Sequence, residues 1–81
     1  MDSKYILYVS TDCFFCKKAI KLLEEDKQKF SILNLKKRPA VLKELKEIYD
    51  WKTVPMVFHR QDNKIEFIGG FTDLSDRLGN V

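Results

Sequence analysis

Cysteine, histidine, glycine and proline are all scarce in this chain of 81 residues, which carries two, one, three and two of them. Two cysteines with only two residues between them argue against a disulfide-stapled secreted scaffold. So short a closed loop constrains the unfolded chain little, and such scaffolds usually carry several spread pairs. One histidine beside two cysteines falls short of the four ligands of a structural zinc site. No linker, repeat or low-complexity tract interrupts the chain. No segment approaches the roughly 18 apolar residues of a membrane span. Met1-Asp2-Ser3-Lys4 leads into a short apolar run, unlike a signal peptide. Charge of one sign is also modest: 15 basic minus 12 acidic side chains gives +3, with no dense basic stripe for nucleic acid. That balance suits small anions or acidic protein surfaces. These absences leave one domain over residues 1–81, with no membrane and no nucleic-acid partner. A cytoplasmic setting follows, where cysteine pairs are mostly catalytic or metal-binding. Apolar residues at 44% and charged residues at 33% suffice for one core.

What the chain does have is Cys13-Phe14-Phe15-Cys16, directly after the apolar run of residues 5–9 and directly before an amphipathic stretch. A C-x-x-C at the junction of a strand and a helix reads first as a redox dithiol. The helix start brings partial positive charge and unpaired N–H groups, which favour thiolate over thiol. Lys17 and Lys18 add positive potential one turn on. Asp12 opposes it unless its oxygen caps the helix amides. Thiolate attack on a disulfide gives a mixed disulfide. Cys16, three residues along the same helix side and deeper, can then resolve it. Cys13 is thus the expected nucleophile and Cys16 the resolving thiol.

The hydrophobic pattern predicts the surrounding elements. Residues 4–9 read as a strand, and Ser10-Thr11-Asp12 offers capping oxygens. Cys16, Ala19, Ile20 and Leu23 recur at helical spacing. Residues 30–35 read as a second strand. Pro39 opens a second helix whose buried face is Leu42, Leu45, Ile48 and Tyr49. Residues 53–58 form a third strand, Gln61-Asp62-Asn63 a turn, and residues 64–68 a fourth strand. Thr72 is the expected cap of a last helix through Leu78, with Gly79 after it. The order β-α-β-α-β-β-α implies a parallel pair with a right-handed crossover, then an antiparallel hairpin. This is an α/β fold: a mixed four-stranded sheet with three helices. Trp51, Tyr5 and Tyr8 are expected in or around the core. His59 and the run Lys36-Lys37-Arg38 are expected to face water.

Three motifs in order and spacing give the chain a family resemblance. They are Cys13-Phe14-Phe15-Cys16 after the first strand, Thr53-Val54-Pro55 before the third, and Gly69-Gly70-Phe71-Thr72-Asp73-Leu74 after the fourth. With these the chain resembles a glutaredoxin of the thioredoxin-fold superfamily over nearly its whole length. The resemblance implies a monomeric, thioredoxin-like oxidoreductase. It would reduce protein disulfides and glutathione mixed disulfides, with glutathione as reducing co-substrate and no metal. It implies a cis Pro55 facing the dithiol, which turns the Val54 backbone toward a bound peptide. It also assigns Asp73 to the ammonium of the γ-glutamyl end of glutathione. The amides of Thr72 and Asp73 suit the neighbouring carboxylate, and Gly69 and Gly70 permit close approach. Phe15, Lys17 and Thr53 complete the expected glutathione site. Ribonucleotide reductase is a plausible protein substrate by the same resemblance.

Two departures qualify it. Many relatives place a lysine three residues before the first cysteine, where this chain has Ser10. Lys17, Lys37 or Arg38 would have to replace that cation. Relatives often have Pro-Tyr between the cysteines, where this chain has Phe14-Phe15. Phe15 can still pack beside a ligand, and Phe14 suggests an apolar rim for a protein disulfide. The expected potential spans roughly −200 to −270 mV. Alternatives are recharging by thioredoxin reductase, or a glutathione-ligated [2Fe–2S] cluster between two subunits.

Overall fold

Alternation along the first strand sends Tyr5, Leu7 and Val9 to one sheet face and Tyr8 to the other. The computed structural model describes residues 3–10 and 13–79. Its elements run β1 (Ser3–Val9), α1 (Phe14–Glu25), β2 (Phe30–Asn34), α2 (Pro39–Ile48), β3 (Met56–Gln61), β4 (Lys64–Gly69) and α3 (Phe71–Arg77). The sheet order is β2-β1-β3-β4. β1 pairs parallel with β2 and antiparallel with β3, and β3 pairs antiparallel with β4. This is the mixed four-stranded sheet with three helices expected from the sequence.

One face holds the core. Tyr5, Leu7, Val9 and Val57 pack against Cys16, Ala19 and Leu23 of α1 and Leu74 of α3. Each large side chain buried this way contributes about 1.5–3 kcal/mol. The helical spacing of Cys16, Ala19 and Leu23 therefore seats the second cysteine in the core itself. The other face carries an aromatic layer. Phe58 meets Tyr8, Tyr49 and Phe67 at centroid distances of 5.4, 5.1 and 5.1 Å. Trp51 stands edge-on to Phe67 at 5.3 Å.

Several boundaries and packing roles differ from expectation. β3 begins at Met56 rather than Thr53. Pro55 has no N–H to give a ladder, and the Val54–Pro55 peptide is cis. β2 ends at Asn34, although Leu35 is buried and its N–H still donates to the Val9 carbonyl at 2.8 Å. α2 buries no residue: Leu42 and Leu45 are half-buried, while Ile48 and Tyr49 are exposed. Phe58 and Phe67 already fill that sheet face with large rings, and α2 meets them through Tyr49 at its end.

Capping also differs. α1 is capped by Cys13 itself, whose sulfur accepts from the Cys16 N–H. The expected caps Thr11 and Asp12 lie outside the described residues, as does the opposing charge of Asp12. Gly70, not Thr72, caps α3, because the Asp73 carboxylate accepts from the Gly70 N–H and fixes the start two residues earlier.

His59 is not the solvated side chain expected. Its ring lies tilted against that of Tyr5, with centroids 4.7 Å apart, and its Nδ1 lies 3.5 Å from Nη2 of Arg77. Arg77 in turn pairs with Glu66 at 2.8 Å. Burial pulls the Arg77 pKa down, but the hydrogen bond and charge of Glu66, with help from Tyr5, outweigh it and leave it raised. Among the described residues no helix is long and apolar enough to cross a membrane.

Candidate active site

The dithiol sits where β1 hands the chain to α1. Cys13 and Cys16 are joined as a disulfide, with Cα atoms 5.1 Å apart. Their exposures differ: Cys13 is half-buried, whereas Cys16 is 4% exposed. A substrate can therefore reach the first sulfur and not the second. The Cys16 N–H donates to Cys13 Sγ at 3.1 Å. In the reduced protein that donor and the start of α1 both favour a negative sulfur. The charge-bearing position is thus set by a helix cap, and the resolving position by the core face of the same helix.

The loop before β3 faces this sulfur. The carbonyl oxygen of Val54, in the cis peptide, lies 3.5 Å from Cys13 Sγ. Beyond it opens a cleft of about 230 Å³, lined by Phe15, Trp51 and Phe71, by Thr53, Val54 and Pro55, and by Gly70, Thr72 and Asp73. Three separate parts of the chain meet there: the start of α1, the loop after α2, and the Gly70 cap with the first turn of α3. A larger open cleft of about 760 Å³ lies at the β3–β4 hairpin, with Arg77 of α3 on its far side, and is bordered by no residue of the three motifs. Neither cysteine borders it.

Gly69 sits behind the cleft at φ +130°, a backbone geometry that side chains rarely adopt. A Cβ there would run into the Asp73 carboxylate. Thr72 and Asp73 are the second and third residues of α3, whose first N–H groups have no partner within the helix.

The residues expected at the site thus fall into two groups. Cys13, Cys16, Phe15, Thr53, Val54, Pro55, Gly69, Gly70, Thr72 and Asp73 converge around the dithiol and its cleft. Lys17 does not: it is exposed on α1, with only its backbone N–H returning to the Cys13 carbonyl at 3.2 Å. No lysine or arginine borders the cleft. Two of its walls were not singled out from sequence. From sequence Trp51 reads as a core residue, and Phe71 carries no role within its motif. An aromatic residue four positions before the proline of a Thr-Val-Pro motif was the available signal for Trp51. Among the described residues, no group of three or more His, Cys, Asp or Glu converges.

The glutaredoxin family model matches residues 5–63, which include the dithiol and the Thr53-Val54-Pro55 loop. The chain belongs to the glutaredoxin family. It is accordingly a thioredoxin-fold redox protein of the thiol–disulfide oxidoreductase type. Among solved structures it is similar to glutaredoxin 1 from Francisella tularensis in complex with cacodylate. The two share 25% identity over 99% of this chain and 100% of that one, with a TM-score of 0.70. A buckwheat glutaredoxin–glutathione complex shares its fold at TM-score 0.75 and 21% identity, covering 96% of this chain and 72% of the other. NrdH-redoxin from Escherichia coli, a glutaredoxin-like protein with a thioredoxin-like activity profile, shares the fold at 0.68 and 18%, covering 96% and 93%. Among curated proteins the chain finds no match.

Proposed function

We propose that this glutaredoxin is a glutathione-dependent reductase of protein disulfides and glutathione mixed disulfides. The observation that carries the reading is the asymmetry of the dithiol beside the cleft: a reachable Cys13 sulfur holding an amide hydrogen bond, and a buried Cys16 within bonding reach of it.

The chemistry follows from that asymmetry. The Cys13 thiolate attacks one sulfur of a substrate disulfide. The substrate S–S bond breaks, and its leaving sulfur takes a proton. Cys16, once deprotonated, attacks the Cys13 sulfur and expels the second substrate thiol. Two electrons pass from the dithiol to the substrate, leaving the Cys13–Cys16 disulfide. One glutathione thiolate then attacks Cys13 and frees Cys16. A second takes the first away as glutathione disulfide, restoring the dithiol. The backbone of Val54 runs beside the attacked sulfur and suits strand-like pairing with a peptide. Glutathione fits the cleft with its γ-glutamyl carboxylate on the Thr72 and Asp73 amides, its ammonium near the Asp73 carboxylate, and its cysteine toward Val54. Phe15, Thr53, Pro55 and Gly70 form the walls, with Gly69 keeping Asp73 in place. Lys17 remains the candidate cation for the glycyl carboxylate from outside the cleft. The chain acts as a single-domain monomer in the cytoplasm, and ribonucleotide reductase is a candidate protein substrate.

A second reading draws on the cleft lining. With no cation bordering the cleft and Ser10 in place of a lysine, the glycyl end of glutathione has no built anchor. That favours recharging by thioredoxin reductase, with the same dithiol chemistry. One experiment separates the two. NADPH consumption is followed during disulfide reduction with glutathione and glutathione reductase, and in parallel with thioredoxin reductase alone. Turnover only in the first establishes the leading reading; turnover only in the second replaces it.

A further inference from the structure

The two phenylalanines inside the cysteine motif form an exposed surface next to the nucleophile. Phe14 and Phe15 open α1 and are 67% and 50% exposed, an uncommon placement for large apolar rings. Lys18 lies four and three residues further along the helix and shares their face. Its Nζ stands 5.4 Å from the Phe14 centroid and 5.6 Å from that of Phe15. From α3 the Phe71 ring joins them, 4.9 Å from the same ammonium and 6.1 Å from Phe15. One cation therefore sits over three rings, each within the roughly 6 Å at which such pairs attract.

This arrangement gives the platform a charge as well as an apolar character. Between Cys13 and Lys21 the chain carries Lys17, Lys18 and Lys21 and no carboxylate. All three lysines are exposed. On the opposite wall the one carboxylate, Asp73, is held by the Gly70 N–H. The rim over α1 is thus basic and aromatic at once.

We infer that this rim docks an acidic segment of a disulfide-bearing protein, one that places a carboxylate and an aromatic or large aliphatic side chain beside its redox cysteine. The carboxylate meets the Lys18 ammonium, and the apolar side chain lies on Phe14. Rings already ordered by Lys18 lose little freedom on contact. Opposite charge raises the encounter rate and rejects basic segments. The inference rests on the reading of Cys13 and Cys16 as a disulfide-reducing dithiol, and it extends that reading to the class of protein reduced.

The test uses pre-reduced protein in single-turnover mixing, so that no recharging partner enters. Three oxidised substrates are compared: a peptide disulfide flanked by Glu and Phe, its Lys and Phe counterpart, and hydroxyethyl disulfide, which is small and uncharged. The acidic peptide is expected to react faster than the basic one. Raising NaCl to half molar should narrow the gap. Lys18→Gln should slow the acidic peptide by about two- to fivefold, the range expected of one exposed ion pair. Lys18→Arg should restore it. Phe14→Ser should slow both Phe-bearing peptides. None of the three variants should change the rate with hydroxyethyl disulfide. Equal rates for the two charged peptides, or a gap that survives Lys18→Gln undiminished, would overturn the inference while leaving the dithiol reading intact. No reduction of any of the three by the parent protein would overturn both.

Discussion

Asp73 turns back on its own helix: its Oδ2 accepts a hydrogen bond from the Gly70 N–H at 3.0 Å. The same carboxylate borders the cleft beside Cys13 and is the group proposed to meet a γ-glutamyl ammonium. One side chain thus has a structural and a binding task. A carboxylate that caps α3 is already oriented, without needing a ligand to order it.

The two tasks separate by mutation. Asp73→Ala removes the acceptor and should cost about 1–2 kcal/mol of stability in urea unfolding, the scale of a charge-assisted hydrogen bond. Asp73→Asn keeps an acceptor oxygen near Gly70 and should lie close to the parent in stability. Both should raise the KM for glutathione, since both lose the charge. If Asp73→Asn left the KM unchanged, the ammonium contact would be wrong.

The adjacent glycines should respond unequally. At Gly69 a Cβ meets the Asp73 carboxylate, and φ is +130°. Gly69→Ala should therefore destabilise by about 1–3 kcal/mol. At Gly70 the nearest atom to an added Cβ is Trp51 Cζ2 at 3.6 Å, an ordinary contact. Gly70→Ala should stay within about 1 kcal/mol in stability. Its methyl points toward the Trp51 wall of the cleft, so its effect should appear in glutathione KM instead. Unfolding curves and saturation curves on the same two variants decide this.

The sequence made the helical face of α1 and the alternation of β1 legible, because burial of Cys16, Ala19, Leu23, Tyr5, Leu7 and Val9 follows those periods. Thr53-Val54-Pro55 and the glycine pair were legible as motifs. Three features were not. The cap of α1 is a cysteine, a residue with no capping signature, whose sulfur accepts from the Cys16 N–H. The cap of α3 depended on Asp73 reaching three residues back, which competes with a plain threonine cap at Thr72. The exposure of Ile48 and Tyr49 depended on rings from β3 and β4 occupying the sheet face. The two caps are local choices between competing acceptors, and the third is a tertiary one.

The unequal burial of the two sulfurs predicts unequal variants. Cys13→Ser should abolish turnover on every substrate, since the reachable sulfur is gone. Cys16→Ser should retain turnover on glutathione mixed disulfides, where glutathione itself can resolve the intermediate. It should lose turnover on protein disulfides, which need the internal thiol. Equal losses on both substrate types would reverse the assigned roles. Iodoacetamide titration of the reduced protein supplies the matching pH profile. The amide donor and the helix start stabilise thiolate over thiol, so Cys13 should remain reactive well below the pH at which a free thiol ionises. Its reactivity should fall only as acid protonates that thiolate.

Trp51 carries the one buried side-chain polar atom without a hydrogen-bond partner among the described residues, its indole Nε1. An unpaired buried donor costs about 1–3 kcal/mol relative to a paired or absent one. Trp51→Phe removes that donor while keeping a ring against Phe67, whose centroid lies 5.3 Å away. The lost packing of the larger indole acts in the opposite direction. The two effects should nearly cancel, leaving the Trp51→Phe protein within about 1 kcal/mol of the parent. Trp51→Ala removes both the donor and the ring, empties a wall of the cleft, and should be clearly less stable than Trp51→Phe. Chemical denaturation followed by far-UV circular dichroism measures all three proteins without relying on the tryptophan signal. A Trp51→Phe loss as large as that of Trp51→Ala would mean that the Nε1–H has a partner when the protein is in solution.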